Sequence, residues 1–243
     1  MKITILKFDE LGSTNTEALG QARAGAAEGV TVFAKRQTAG RGRHGRVWES
    51  AEDAGLAASI ILRPRVSSED FPLLTLMTAV AVADFLRGTC SLNPDIKWVN
   101  DVLIGDRKIS GILAEMTETD HGPAIVIGIG INLTSSNFPG ELGETATSIE
   151  AESGKKISPD DALDGLLGYF GYVYDRFCEA PAEILEEWAT RSSYYRGKAV
   201  SVRTGGEMLG GITDGLEPNG ALRLRLNDGS LRIIQTGDVE RLR

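Results

Sequence analysis

Residues 2–8 alternate apolar and polar side chains, which predicts a strand. Thr14 stands three residues before Glu17, the spacing of a capping box, so a helix is predicted from Thr14 as N-cap to about residue 24. A β-branched run over 30–35 predicts a second strand, which feeds a polar loop; 56–62 predicts a third. Residues 71–86 are apolar with interspersed alanines, long enough for a buried helix. Short strands are predicted over 96–98 and 102–104, with Gly105-Asp106 as a two-residue hairpin turn and 108–116 as the returning strand. Residues 124–133 predict a strongly apolar strand. Ser158-Pro159-Asp160-Asp161 has Ser at N-cap, Pro at N1 and acids in the first turn, so a helix is predicted to start there and end near Cys178. One more is predicted over 181–192.

Beyond Tyr194 the texture changes. Short β-like runs over 199–203, 222–226 and 231–235 are separated by Gly205-Gly206, Asn219-Gly220 and Asp228-Gly229. This predicts a small β-barrel-like domain over 194–243, after a main domain over 1–193. Strands and helices in mixed order, with adjacent antiparallel hairpins, argue for α+β rather than a doubly wound parallel sheet.

Composition narrows the function classes. With 243 residues and 42% apolar, the chain can bury a substantial core. It has no run of about 18 apolar residues, so no membrane span is predicted, and no signal-peptide h-region opens it. The net charge of −8 argues against general nucleic-acid binding. Cys90 and Cys178 lie in apolar contexts and are predicted to be buried thiols in a reducing cytoplasm. His44 and His121 are far apart and no Cys/His cluster exists, which argues against a zinc site.

Candidate chemistry sits in three segments. Loop 37–48 carries Gly40, Gly42 and Gly45 with Arg41, Arg43 and Arg46, and ends on Trp48. Glycines allow close backbone approach, and guanidinium groups match carboxylates and phosphates. Gly40-x-Gly42-x-x-Gly45 has the dinucleotide spacing, but no helix opens behind it, so that reading is rejected. Taken by itself, the loop is better read as a solvated basic loop. Lys97-Trp98-Val99-Asn100-Asp101 and the strand beginning at Lys108 should lie side by side across the hairpin, with Lys108 beside Gly111. A lone edge-strand lysine is the plainer account. In Gly128-Ile129-Gly130-Ile131-Asn132, glycines in a buried strand mark a bulge or a close approach by another group.

The order of these segments decides between the readings. Ser-Thr-Asn (13–15), Gln-x-Ala-Gly-Arg-Gly-Arg-x-Gly-Arg-x-Trp (37–48), Lys-Trp-x-Asn-Asp (97–101), Lys-x-x-Gly-Ile-Leu-x-Glu (108–115) and Gly-Ile-Gly-Ile-Asn (128–132) together resemble the biotin–protein ligase family over nearly the whole chain. The resemblance implies a mixed β-sheet flanked by helices, of the class II aminoacyl-tRNA synthetase-like kind, with a small C-terminal SH3-like β-barrel. It also implies biotin and ATP as substrates, Mg²⁺ arriving with ATP and not held by the protein, and a biotin carboxyl carrier domain as acceptor. On matching positions, Ser13, Thr14, Asn15 and Gln37 would bind the biotin head. Gly40, Arg41, Gly42 and Arg43 would cover its carboxylate and the adenylate phosphate, and Gly111 would line the biotin pocket. Arg46, Trp48, Asn100, Asp101 and Asn132 would lie near the nucleotide. Lys108, Arg43, Arg41 and Lys97 would be the catalytic cations, since two anions must meet and their repulsion must be offset. A closed, water-poor site would protect the mixed anhydride.

Two features depart from the family. Val99 stands where it usually has proline, and the chain starts at the predicted catalytic strand, as in the monofunctional class without an N-terminal DNA-binding domain. The rival readings are a lipoate–protein ligase, disfavoured by the Gly/Arg loop, and a non-catalytic biotin sensor or repressor, disfavoured by the acidic charge. A homodimer through a sheet face, and an acceptor pairing with an exposed sheet edge, are both compatible with the sequence.

Overall fold

The chain opens with a strand–helix–strand unit, β1 (Thr4–Leu11), α1 (Thr14–Arg23) and β2 (Val30–Gln37), whose strands are parallel, so α1 is a crossover helix. The polar loop leads to β3 (Gly55–Leu62), α2 (Leu73–Gly88), β4 (Asp95–Lys97) and β5 (Asp101–Ile104). The long hairpin of β6 (Arg107–Thr119) and β7 (Gly122–Asn132) follows. Four helices come next: α3 (Leu142–Thr145), α4 (Ile149–Ser153), α5 (Pro159–Glu179) and α6 (Glu183–Thr190). The chain closes with β8 (Arg196–Thr204), β9 (Glu207–Leu216), β10 (Leu222–Leu226), β11 (Leu231–Ile234) and β12 (Asp238–Arg241). This computed structural model describes residues 1–49, 51–135 and 142–241; residues 242–243 of the predicted C-terminal domain lie outside it.

The first seven strands form one mixed sheet in the order β1-β2-β3-β7-β6-β5-β4, antiparallel except for the β1–β2 pair. β3 is buried at every position because both faces of the sheet are covered. On one face Ala18, Leu19 and Ala22 of α1 pack on Val32, Ile61, Ala124 and Val126. On the other, α2 and α5 supply the larger core, with Phe85, Leu166 and Phe170 among its buried side chains. The remaining strands form an antiparallel sheet, β11-β10-β9-β8-β12. Its Val200, Val202, Leu222 and Leu224 join that larger core, and Trp98 Nε1 donates to Gly220 O at 2.9 Å across the junction.

Several predicted details shift. The helix cap is Ser13, not Thr14, and Glu17 bonds Gln21 instead of closing a capping box. Ser158 caps α5 as predicted, accepting from Asp161 N at 3.1 Å. Gly105 takes φ +60° at the predicted hairpin turn. Cys90 is buried, but Cys178 is only partly so, because it lies in the last turn of α5. Strands β9 and β12 and the short helices α3 and α4 had no distinct signal in the sequence. The Trp98–Val99 peptide, where proline is usual, is cis.

Candidate active site

A pocket opens on the α1 face of the main sheet, at the N-terminal end of that helix. Directly opposed residues of neighbouring strands point to the same face. Ala57, Gly130, Gly111, Asp101 and Lys97 are successive partners across β3, β7, β6, β5 and β4. The two glycines in the middle of this row leave a trough, and the Trp48 indole lies in it. A Cβ at Gly130 would overlap the indole, and one at Gly111 would come within 3.0 Å of it. In the next row, Ser59, Gly128 and Leu113, the side chain of Asn15 fills the space above Gly128.

Lys108 reaches this face through a bulge. It is three residues from Gly111, and strict alternation would send the two to opposite faces. The β5–β6 register shifts: Val102 opposes Ser110 while Leu103 opposes Lys108, so Ile109 is an extra residue on β6. Ile109 drops into the opposite core, and Lys108 Nζ comes to 3.0 Å from where a Gly111 Cβ would stand. It also lies 2.6 Å from Asp101 Oδ1 and 5.5 Å from the Trp48 ring centroid. Lys97 Nζ is 3.2 Å from Asp101 Oδ2. Burial works against ionisation of Asp101, but Lys108 and Lys97 outweigh it and hold the carboxyl below its ordinary value.

The floor is a connected polar network. The Thr14 amide and hydroxyl donate to Gln37 Oε1 at 2.8 and 3.1 Å. Ser59 Oγ lies 2.8 Å from Thr14 Oγ1 and donates to Asn15 Oδ1 at 2.6 Å. Ser13 makes no side-chain cap bond, and it lines the pocket.

The Gly/Arg loop folds over this floor. Gly42 N donates to Arg46 O at 2.8 Å and Trp48 N to Gly40 O at 3.0 Å, with His44 and Gly45 at φ 55° and 72° in the turn. Arg41 forms a two-pronged pair with Glu115 at 2.7 and 3.0 Å. Arg43 donates to Asn100 Oδ1 (3.0 Å), Gly237 O (3.2 Å) and Thr236 Oγ1 (3.1 Å), and Arg46 pairs with Asp238. Burial pushes the Arg43 value down, with Asp238 and Asp101 opposing.

Ser13, Thr14, Asn15, Gln37, Arg41, Gly42, Arg43, Arg46, Trp48, Asn100, Asp101, Lys108 and Gly111 all line this pocket, a cavity of about 110 Å³. Three of the predicted residues stand behind the lining. Gly40 backs the lid against the Trp48 carbonyl, and Lys97 sits behind Asp101. Asn132 Nδ2 donates to Lys108 O (3.3 Å) and Thr147 O (3.0 Å), bracing the lysine's backbone from outside the pocket. Glu115 and Asp238 were given no role from the sequence. Glu115 was legible, since it is four residues from Gly111 and therefore on the same strand face. Asp238 was not, being remote in sequence from every motif.

Residues 9–132 match the Biotin/lipoate A/B protein ligase family, and residues 196–242 match the biotin protein ligase C-terminal domain. Over 97% of its length the chain is 37% identical to the bifunctional ligase/repressor BirA of Bacillus subtilis (strain 168), 73% of which is covered. Over 88% it is 35% identical to biotin–[acetyl-CoA-carboxylase] ligase of Paracoccus denitrificans, 90% of which is covered. The chain belongs to the biotin protein ligase family. This ligase is also similar in structure to biotin protein ligase from Aquifex aeolicus in complex with biotin and ATP, with a TM-score of 0.86 at 26% identity, covering 98% of this chain and 99% of that one.

Proposed function

We propose that this ligase activates biotin with ATP and transfers it to a lysine of a biotin carboxyl carrier domain. In the first step a biotin carboxylate oxygen attacks the α-phosphorus, the bond to the β-phosphate oxygen breaks, and pyrophosphate leaves. In the second the acceptor amine attacks the acyl carbon, gives up a proton, and AMP leaves. The observation that carries the reading is Lys108, turned by its bulge into a trough between Asp101, Gly111 and Trp48. There its ammonium meets the two anions that must react, and stabilises charge developing on the phosphoryl oxygens. Among the described residues, Arg41, Arg43, Arg46, Lys97 and Lys108 pair around the pocket with Asp101, Glu115 and Asp238, five cations against three carboxylates, a surplus that favours an anionic ligand.

In this reading Ser13, Thr14, Asn15, Gln37 and Gly111 hold the biotin head. Gly40, Gly42 and Arg43 close over the carboxylate and phosphate. Trp48, Arg46 and Asn100 border the nucleotide, while Asp101 orients Lys108, with Lys97 and Asn132 supporting from behind. Mg²⁺ would enter as part of the ATP substrate, bound through its phosphates.

Finer features follow the same reading. The C-terminal sheet is read as an SH3-like barrel, supported by register shifts in β8–β9 and β9–β10 that bend strands, and residues 194–243 as a small domain packed into the core it shares with the main sheet. The main sheet is read as class II aminoacyl-tRNA synthetase-like. No described helix is long and apolar enough to cross a membrane, and the two free cysteines favour a reducing cytoplasm. A homodimer through the sheet is testable by sedimentation.

The deciding measurement is biotin-dependent ATP–pyrophosphate exchange. Exchange should appear with biotin and not with lipoate, and Lys108→Ala should lower it about 100-fold or more while the protein still folds. Exchange retained near the wild-type rate in that variant would overturn the assignment of Lys108.

A further inference from the structure

Glu115 stands in the cross-strand row Ile61, Val126, Glu115, next to the two rows that floor the pocket. Its neighbours in that row are buried apolar side chains packed on α1. Its side chain is three-quarters covered, with 24% exposed. Oε1 accepts from Arg41 Nη2 at 2.7 Å; Oε2 accepts from Arg41 Nη1 at 3.0 Å and from Asn15 Nδ2 at 2.9 Å. The second Asn15 amide hydrogen goes to Leu113 O at 3.2 Å, and Ser59 donates to Asn15 Oδ1. Both Asn15 donors are therefore spent inside the protein. What it keeps for a ligand is a lone pair on Oδ1, above Gly128. Arg41 is spent in the same way, since its fork is matched to Glu115 and its charge is already balanced.

We propose that Glu115 is a positioning residue that ties the lid to the biotin-binding floor. It converts Arg41 from a free cation into the lid's anchor, and it fixes Asn15 as an acceptor for a ligand N–H, the group that a ureido ring offers. This rests on the biotin-activating function, and it puts the consequence on the biotin side of the pocket, away from Lys108 and Asp101.

Glu115→Gln separates the two roles from simple folding. A glutamine of the same shape replaces one carboxylate oxygen with a donor, so it cannot accept all three of these bonds, and it removes the negative charge that holds the Arg41 fork. The KM for biotin in pyrophosphate exchange should rise about tenfold or more, the loss of one charge-assisted bond, while the KM for ATP stays within about twofold. In the ligand-free protein, hydrogen exchange should accelerate at the lid amides of Gly42, Arg46 and Trp48 and not in the β3–β7 ladder. The Glu115→Gln, Arg41→Gln double variant should show no faster lid exchange than Arg41→Gln alone. An unchanged biotin KM, equal rises for both substrates, or an unchanged lid would each overturn the proposal. If the wild type shows no biotin-dependent exchange, the function itself falls. The hydrogen-exchange arm needs no ligand, so it still decides whether Glu115 holds the lid.

Discussion

Asp101 is nearly buried, yet it is ionised because two ammonium groups face it. Its folded value lies below its unfolded one. The stabilisation it gives is therefore present in full above about pH 4 and lost as the pH falls through the depressed folded value. Wild type should lose stability more steeply than Asp101→Asn as the pH is lowered from about 4, followed by urea midpoints at successive pH values. Parallel curves would mean that the two lysines do not set the ionisation of Asp101. Thr14 makes a second residue-scale case. Its hydroxyl looks like half of a capping box, but it is buried between Gln37 and Ser59. Thr14→Val should cost about 1–3 kcal/mol by stranding its partners, whereas Glu17→Ala, which loses only a half-buried i,i+4 bond to Gln21, should stay within about 0.5 kcal/mol. Reversal of that order in thermal unfolding would restore the capping-box account.

At the scale of elements, the site depends on which face each strand residue takes. Gly111, Gly128 and Gly130 are legible in the sequence as sites of close approach, and Asn15 and Trp48 are what approach them. Gly130→Ala should push the indole out of its trough. Trp48 is the half-exposed tryptophan, while Trp98 and Trp188 are buried, so the displacement should appear as a red shift in emission with little loss of stability. An unshifted spectrum would show that the trough does not hold the ring. The long periodic elements, α2, α5, β3 and β7, were legible because burial imposes their patterns. The bulge at Ile109 was not, because it arises from the pairing of β5 with β6 and leaves no mark on β6 alone. The sequence placed Lys108 beside Gly111, but only the bulge explains how residues an odd number apart share a face. Strands β9 and β12 escaped for a related reason. Gly210 and Gly211 interrupt one, and charged residues fill the other, so their strand character comes from their neighbours.

The whole molecule enters the site through its second sheet. Arg43 and Arg46 reach from the lid to Thr236, Gly237 and Asp238, contacts spanning more than 190 positions of sequence. Trp98, inside one of the motifs, is not a ligand-facing group at all. It is buried, and it fastens the loop before β10 to the main sheet through Gly220. The C-terminal sheet is thereby held in a fixed place relative to the lid, and Asp238 becomes a second acidic anchor beside Glu115. The two anchors act on different arginines. Glu115 holds Arg41 over the Thr14–Asn15 floor, while Asp238 holds Arg43 and Arg46 on the Asn100 side of the pocket. Asp238→Ala should therefore leave the biotin KM nearly unchanged and speed the escape of biotinyl-adenylate, because the arginines proposed to cover the phosphate lose their fixed geometry. Release of labelled adenylate from the preformed complex should accelerate about tenfold, the loss of one charge-assisted contact. The melting transition should stay single, since both sheets share one core. Escape at the wild-type rate would show that the lid closes without the second sheet, and that the Arg43 and Arg46 contacts to it are incidental.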